Sequence, residues 1–276
     1  MLASGTILVA DRSALDGTGA LIAVDPSDGT QRLISSGANF ANPSGVALEA
    51  GGTVLVADSD AFAGAGGLIR IDPGNGAQSP LSQGGLLANP FAVDVEADGT
   101  IVVASGGGAR VTRVDPQSGA QSKVPPSEGL ESAVEVVIAP DGSLLVVVDV
   151  ERGGTLIRLD RLSGERIPLP GAEFHNPIGV AVDPDGIIWM VEDRHGVGPS
   201  LVRYDSTTGQ RTLLTSRGLL RGPFRVVVEV SGDFVVSDPD IVDGHGRLVR
   251  VDRQTGAQSV LSEGGHFVHP FGIAVV

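Results

Sequence analysis

The stretch Val24-Asp25-Pro26-Ser27-Asp28-Gly29 is the first of six related turns, each of which follows a short apolar segment. The aspartates that begin these turns are separated by 47, 43, 45, 45 and 47 residues, and they are Asp25, Asp72, Asp115, Asp160, Asp205 and Asp252. Counted from the last aspartate through both chain ends to the first, the spacing is 49 residues, so the period continues across the termini. A repeat of this length that closes on itself predicts a ring of six blades, the β-propeller.

Within one repeat, residues 42–82, β-branched and apolar runs alternate with clusters of Gly, Pro, Asn and Asp, which is typical of four short strands. Residues 271–275 have the character of a first strand, and residues 6–10 have that of a second strand. We therefore expect an all-β propeller of six blades with four antiparallel strands each, in which N-terminal strands pair with the C-terminal strand. The predicted single domain spans 1–276, with a closing blade formed from 1–35 and 268–276.

Composition excludes several classes of partner. The net charge of −14 disfavours nucleic acid, and the chain has no apolar run long enough for insertion into a membrane. Cysteine is absent, so the redox compartment is undetermined; a secreted or periplasmic location is favoured only if a leader has been removed. We expect a monomer that binds a small molecule or a peptide, with no organic cofactor.

The six turn aspartates have two interpretations, as metal ligands or as turn residues. Each is followed four residues later by glycine, as in Asp25/Gly29 and Asp72/Gly76. Asp accepts backbone N–H bonds within turns, and Gly adopts positive φ without strain. Because every blade has this pair, the structural interpretation is favoured.

Two motifs carry a resemblance to known families. Asn42-Pro43-Ser44-Gly45-Val46-Ala47-Leu48 and Asn176-Pro177-Ile178-Gly179-Val180-Ala181-Val182 resemble NHL-repeat propellers. Asp185-Gly186-Ile187-Ile188-Trp189-Met190-Val191-Glu192 is similar to a blade of virginiamycin B lyase. The resemblance implies a six-bladed propeller. Virginiamycin-lyase-like and gluconolactonase-like propellers place a divalent metal and acid/base residues at one end of the central channel, which implies lyase or lactone/ester hydrolase chemistry.

Candidate site residues lie where blades depart from the average. We call the mouth the face that holds the loops entering each first strand and the loops between second and third strands. All five histidines fall in mouth loops: His175, His195, His245, His266 and His269. We expect His175, His269 and Glu192 to act in catalysis, and His195, His245 and Asp238 to hold one Mg²⁺, Ca²⁺ or Zn²⁺. The alternative is that these side chains are polar loop and turn residues.

Two charges interrupt a series of small residues in the first strands. The position occupied by Gly45, Ala92, Gly179 and Gly272 becomes Glu135 in one blade and Arg225 in another. Glu135 is predicted as a general base, and Arg225, with Arg221 at the entrance of its strand, as a contact for a carboxylate or oxyanion. The alternative is a structural ion pair across the channel.

Three phenylalanines, Phe91, Phe224 and Phe271, occupy one mouth position in three blades. They are predicted as an apolar rim that binds substrate, with a role as core residues as the alternative. Two functions remain open: a metal-assisted lyase or hydrolase, and a non-catalytic scaffold for a ligand or a protein.

Overall fold

The structure is a computed structural model that describes residues 2–107, 111–125, 130, 132–150, 153–194, 198–242 and 244–276, without the side chains of 149, 150, 173, 194 and 240–242. It contains six antiparallel sheets, and neighbouring sheets are also neighbours along the chain. The predicted six-bladed propeller is confirmed.

Within each blade the strands follow one another from the central channel outward. Blade 1 contains β1 (Ile7–Asp11), β2 (Ala20–Val24) and β3 (Gln31–Ser36), and blade 2 contains β4 (Pro43–Leu48), β5 (Val54–Asp58), β6 (Gly67–Ile71) and β7 (Gln78–Gln83). Blade 3 contains β8 (Pro90–Val95), β9 (Ile101–Ser105), β10 (Val111–Val114) and β11 (Gln121–Lys123). Blade 4 contains β12 (Ala133–Ile138), β13 (Leu144–Val150), β14 (Gly153–Leu159) and β15 (Arg166–Ile167), with the short β16 (Glu173–Phe174) paired to β14.

The remaining strands complete the ring. Blade 5 contains β17 (Pro177–Val182), β18 (Ile188–Arg194), β19 (Gly198–Tyr204) and β20 (Arg211–Ser216), and blade 6 contains β21 (Arg225–Val228), β22 (Phe234–Val242), β23 (His245–Val251) and β24 (Gln258–Glu263). The last strand, β25 (Pro270–Val275), is the innermost strand of blade 1. Two four-residue helical turns, α1 (Ala14–Gly17) and α2 (Ala61–Gly64), follow β1 and β5. The described residues contain no helix with the length and apolar character that crossing a bilayer requires.

The ring closes by pairing the two ends of the chain in one sheet. β25 runs antiparallel to β1, with Ile7 opposite Val275 and Val9 opposite Ile273. This is the closure that the strand characters predict, and it removes the open sheet edges of a linear array.

Apolar layers between neighbouring blades form the core. The described residues form six clusters of buried side chains, and each cluster draws its residues from two adjacent blades, including blades 6 and 1. Val, Leu, Ile and Ala dominate these layers, which explains how a chain with 4% aromatic residues fills the space between its blades.

The same polar contacts recur between blades. Ser35 donates to the carbonyl of Gly76 in the next blade at 2.8 Å, and Ser262 of blade 6 donates to Gly29 of blade 1 at 2.8 Å. Gln31 and Gln78 donate to these serines at 3.0 Å. The interface that closes the ring therefore uses the chemistry of an internal interface.

The turn aspartates are structural, as expected. The Asp25 carboxylate accepts the backbone N–H of Ser27 at 2.8 Å, and each of the other five aspartates accepts an equivalent bond. Gly76, with φ +74°, packs so closely on the preceding blade that a Cβ would lie 2.3 Å from the carbonyl oxygen of Ile34. These turns lie on the face opposite the mouth, which we call the lower face.

Candidate functional site

The innermost strands approach one another closely near the mouth. They succeed each other around the channel in the order β25, β4, β8, β12, β17 and β21. Gly45 permits this approach, because a Cβ there would lie 2.9 Å from the carbonyl oxygen of Phe91 on the next blade. The two charged residues Glu135 and Arg225 occupy the equivalent position in β12 and β21.

Arg225 and Glu135 form a buried ion pair in the channel. Arg225 Nη1 contacts Glu135 Oε2, and each residue is 5% exposed. Arg225 Nη2 also donates to the carbonyl oxygens of Phe91 at 3.1 Å and Val134 at 2.9 Å, on blades across the channel. Burial, reinforced by the nearby charge of Arg12, lowers the pKa of Arg225 to about 9. The structure thus brings together two predicted catalytic residues, Glu135 and Arg225, as the ion pair that was the alternative interpretation.

Above this pair, Arg12 lies on the phenylalanine cluster formed by Phe91, Phe224 and Phe271. The guanidinium carbon of Arg12 is 3.5 Å from the ring centroid of Phe271 and 5.8 Å from those of Phe91 and Phe224. The rings of Phe224 and Phe271 are themselves in edge contact, with centroids 4.4 Å apart. The phenylalanines predicted as substrate contacts therefore support a cation at the centre of the mouth.

The guanidinium of Arg12 has unused hydrogen-bonding capacity. Its Nε and Nη2 atoms are buried without an acceptor, and no carboxylate lies within ion-pair distance in the part of the chain that the structure describes. Burial lowers the pKa of Arg12 to about 10, and Asp60 and Asp58 oppose the shift, so the group is charged at neutral pH. Arg12 was not among the residues predicted from the sequence.

A signal for Arg12 was nevertheless present in the repeat. Arg12 follows Asp11, whereas the residues that follow the equivalent acids in three other blades are Ser59, Asp193 and Pro239. In a chain of net charge −14, a basic residue here differs from the residues at the equivalent repeat position as clearly as Glu135 differs from those at its own position.

Beside Arg12, Ser13 and His269 contact each other. His269 Nδ1 lies 2.9 Å from Ser13 Oγ, and both residues are half-buried. The Asp11 carboxylate accepts the backbone N–H groups of Ser13 at 3.0 Å and of His269 at 3.1 Å, which holds the two loops together. Burial raises the pKa of Asp11, although these backbone bonds oppose the shift. Of the predicted histidines that the structure describes, His269 is the one in contact with a serine hydroxyl.

Asp238 has the same structural role as Asp11. Its two carboxylate oxygens accept the backbone N–H groups of Arg221 at 2.9 Å and Gly222 at 2.8 Å, and Arg247 lies 3.5 Å away. Asp58 makes the equivalent bonds in blade 2. The side chain of Arg221, predicted to bind substrate, is exposed at the edge of the mouth.

Two of the three predicted metal ligands, His245 and Asp238, belong to the described residues, and each already has a hydrogen-bond partner. His245 is exposed with Nδ1 3.2 Å from the carbonyl oxygen of Phe267, and His195 lies outside the described residues. Among the residues that are described, no three His, Asp or Glu side chains are grouped so that they could hold a metal ion. Because Asp238 already accepts backbone N–H groups, the described members of the predicted set, Asp238 and His245, do not by themselves form a site that fits the divalent metal that the resemblance implies.

His175 and Glu192 lie together in blade 5. The backbone N–H of His175 faces Glu192 Oε2 at 3.5 Å; Glu192 is buried and the His175 side chain is exposed. They border a cavity of about 330 Å³ with Arg211 and Leu213 of the outer strand. These two predicted catalytic residues are therefore neighbours, in a cavity whose wall includes the outer edge of the blade.

Comparison with solved structures finds several likenesses. A chain of the nidogen/laminin complex has a TM-score of 0.78 and 15% identity, with 97% of each chain covered. TolB from Acinetobacter baumannii has a TM-score of 0.73 and 17% identity over 98% of this chain and 66% of that chain. Virginiamycin B lyase from Staphylococcus aureus has a TM-score of 0.54 and 14% identity over 79% of this chain and 69% of that chain.

The chain shares the propeller fold. Each of these neighbours is a propeller protein, which agrees with the resemblance read from the sequence. At such low identity the likeness concerns the fold alone. No family model and no curated protein sequence matches the chain.

Proposed function

We propose that the mouth binds an anionic group, the carboxylate of a small molecule or of a peptide, with Arg12 as its cationic contact. The observation that carries the proposal is the guanidinium of Arg12, which is fixed over Phe271 without an acidic partner among the described residues. The function is that of a binding propeller.

The energetics of Arg12 favour a ligand. Leaving a buried donor without an acceptor costs about 1–3 kcal/mol, and more for a charged group. Stacking of the guanidinium on an aromatic ring stabilises it by about 0.5–2 kcal/mol, which offsets this cost only in part. A carboxylate would use the hydrogen-bonding capacity that stacking leaves unused, and the rings would restrict the guanidinium to one orientation before binding.

The chemistry of the surrounding residues favours a carboxylate with an apolar portion. A guanidinium presents planar paired donors that match the two oxygens of a carboxylate. Half-buried phenylalanine rings next to it offer apolar contact. Since the net charge of −14 repels anions at long range, affinity must come from these short-range contacts.

Calorimetric titration with benzoate, and with acetyl-Gly-Gly-Phe as free acid and as amide, tests the proposal. We expect wild type to bind one or both free acids and not the amide, and Arg12→Met to lose at least about tenfold in affinity. Arg32→Met, an exposed arginine on the outer strand of blade 1, is the matched control. Equal binding by Arg12→Met, or no binding by wild type, would contradict the proposal. Binding of benzoate alone identifies a small-molecule site, and binding of the peptide alone a peptide site.

A second candidate function, ester or lactone hydrolysis, is favoured by the 2.9 Å contact between Ser13 Oγ and His269 Nδ1. In the tautomer protonated at Nε2, Nδ1 can accept the hydroxyl proton while Oγ attacks the ester carbonyl. The imidazolium then returns the proton to the departing alcohol, and water releases the acid from Ser13 in a second step.

This candidate is tested with 4-nitrophenyl hemisuccinate, an ester that also carries a carboxylate. Ser13→Ala and His269→Ala should each abolish turnover, whereas His266→Ala, a change at a mouth histidine outside the proposed site, should retain it. Turnover that survives in Ser13→Ala would exclude the hydroxyl as nucleophile. If wild type binds anions but shows no turnover, hydrolysis of this ester is excluded and the binding function stands.

A further inference from the structure

The channel contains a cavity below the ion pair of Arg225 and Glu135. Its volume is about 400 Å³, within the range of roughly 300–1,000 Å³ that small-molecule pockets occupy. Its wall runs from Arg225 and Glu135 to the last residues of the inner strands, among them Leu48, Val182 and Val275. The phenylalanine cluster does not border it, so the cavity faces the lower face of the ring.

The carboxylate of Asp94 on β8 lies in this wall among mostly aliphatic side chains. It accepts the backbone N–H groups of Val95 and, across to the next blade, of Ile138, each at 2.8 Å. No Lys, Arg or His is within ion-pair distance of it among the residues described. The other ionisable groups of the wall are Glu135 of β12 and Arg225 of β21, which neutralise each other. The wall segments of β4, β17 and β25 contribute no ionisable group.

We infer that this cavity binds a small organic monocation, an alkylammonium, that enters from the lower face and places its ammonium group against Asp94. The ammonium would supply the missing charge partner, and the alkyl chain would contact Val, Ala and Leu side chains. The net charge of −14 favours the approach of cations.

An organic cation fits the wall better than a metal ion does. Calcium takes six to eight oxygen ligands and magnesium a complete octahedron, whereas this cavity offers one carboxylate outside the Arg225–Glu135 pair, and that carboxylate already accepts two backbone bonds. Mostly aliphatic lining residues are the expected surroundings of an alkyl chain rather than of a hydrated ion.

The proposed site has a characteristic pH dependence. Asp94 keeps some contact with solvent in the cavity, yet the surrounding protein raises its pKa to about 6, with burial as the main cause. An ammonium ion needs the ionised carboxylate, so affinity should fall by about tenfold between pH 7.5 and pH 5. Glu135 and Arg225, the other charges in the cavity, compensate each other.

Calorimetric titration with n-hexylammonium chloride at pH 7.5 is the direct test. Wild type should bind one equivalent, Asp94→Asn should bind at least about tenfold more weakly, and Ala274→Leu should bind weakly because it narrows the cavity while leaving Asp94 in place. Asp185→Asn, which removes an exposed carboxylate on the same face, should bind as wild type does. Thermal unfolding of each variant verifies that it is folded.

Four results would overturn the inference. The first is absence of hexylammonium binding to wild type, and the second is equal binding by Asp94→Asn. The third is equal affinity for 1-hexanol, which would show an apolar cavity without recognition of charge. The fourth comes from titration with CaCl2, since calcium bound at Asp94 in place of hexylammonium would assign the site to a metal. Because the site is independent of Arg12, loss of benzoate binding does not affect this result.

Discussion

Nη2 of Arg225, on β21 of blade 6, donates a hydrogen bond of 2.9 Å to the carbonyl oxygen of Val134, on β12 of blade 4. The inner strand of a propeller leaves backbone groups on its channel edge without a sheet partner. A guanidinium that reaches two such carbonyls and a carboxylate fastens three blades together at the axis.

Arg225→Met should be strongly destabilising, because it leaves the Glu135 carboxylate buried without a partner. We expect a loss of about 3–5 kcal/mol in the free energy of unfolding, measured by chemical denaturation. The double variant Arg225→Met/Glu135→Met should recover most of this loss, since it removes the unpaired charge. Arg32→Met should change stability by less than about 0.5 kcal/mol. A double variant as unstable as the single one would show that the carbonyl contacts matter more than the charge.

Asp94→Asn should change how stability depends on pH. In the folded state the pKa of Asp94 is raised from 3.8 to about 6, so the carboxyl favours folding when protonated. Its contribution is complete below about pH 4 and is lost as pH rises through about 6. Relative to Asp94→Asn, wild type should therefore lose about 1–2 kcal/mol between pH 4 and pH 7, a value reduced by contact with solvent in the cavity. A constant difference in unfolding free energy across this range would contradict the raised pKa.

Gly76→Ala should destabilise the contact between blades 1 and 2. Gly76 has φ +74°, and a Cβ would lie 2.3 Å from the carbonyl oxygen of Ile34, so backbone strain and steric overlap combine to cost about 2–4 kcal/mol. Gly51→Ala is the matched control, because no heavy atom lies within 4 Å of a Cβ there. Similar midpoints of urea denaturation for the two variants would mean that the blades separate without significant cost.

Treatment with EDTA should leave the midpoint of thermal unfolding unchanged, because the described residues contain no group of three metal-ligating side chains. Elemental analysis of the purified protein provides the independent measurement. If a stoichiometric metal is found and its removal lowers the midpoint, the hypothesis of a metal-assisted reaction is supported again. Metal content of His195→Ala and His245→Ala would then locate the site. Until that measurement, the predicted metal stays a prediction.

The repeat made the fold predictable. A turn aspartate and glycine in every blade, strands of constant order and a period that continues across the termini define the ring without knowledge of any contact. The departures at Glu135 and Arg225 also identified the pair that meets in the channel. Here the alternative interpretation, an ion pair, describes the contact that the structure contains.

The arrangement around Arg12 was not predictable in the same way. Whether three phenylalanines and an arginine from different blades converge depends on the radius of the ring and the tilt of its inner strands, which local patterns do not report. The described histidines share a face because topology places their loops there, but their separation depends on the conformations of individual loops. For the same reason, the cavity below the ion pair was not predictable from local sequence patterns.

Arg12, the phenylalanine cluster and the Arg225–Glu135 pair lie near the axis between the mouth and the cavity beside Asp94. A solute bound at Asp94 and one bound at Arg12 would therefore be separated by these side chains. Two ligands of opposite charge could then be bound simultaneously, each exchanging with its own side of the disc.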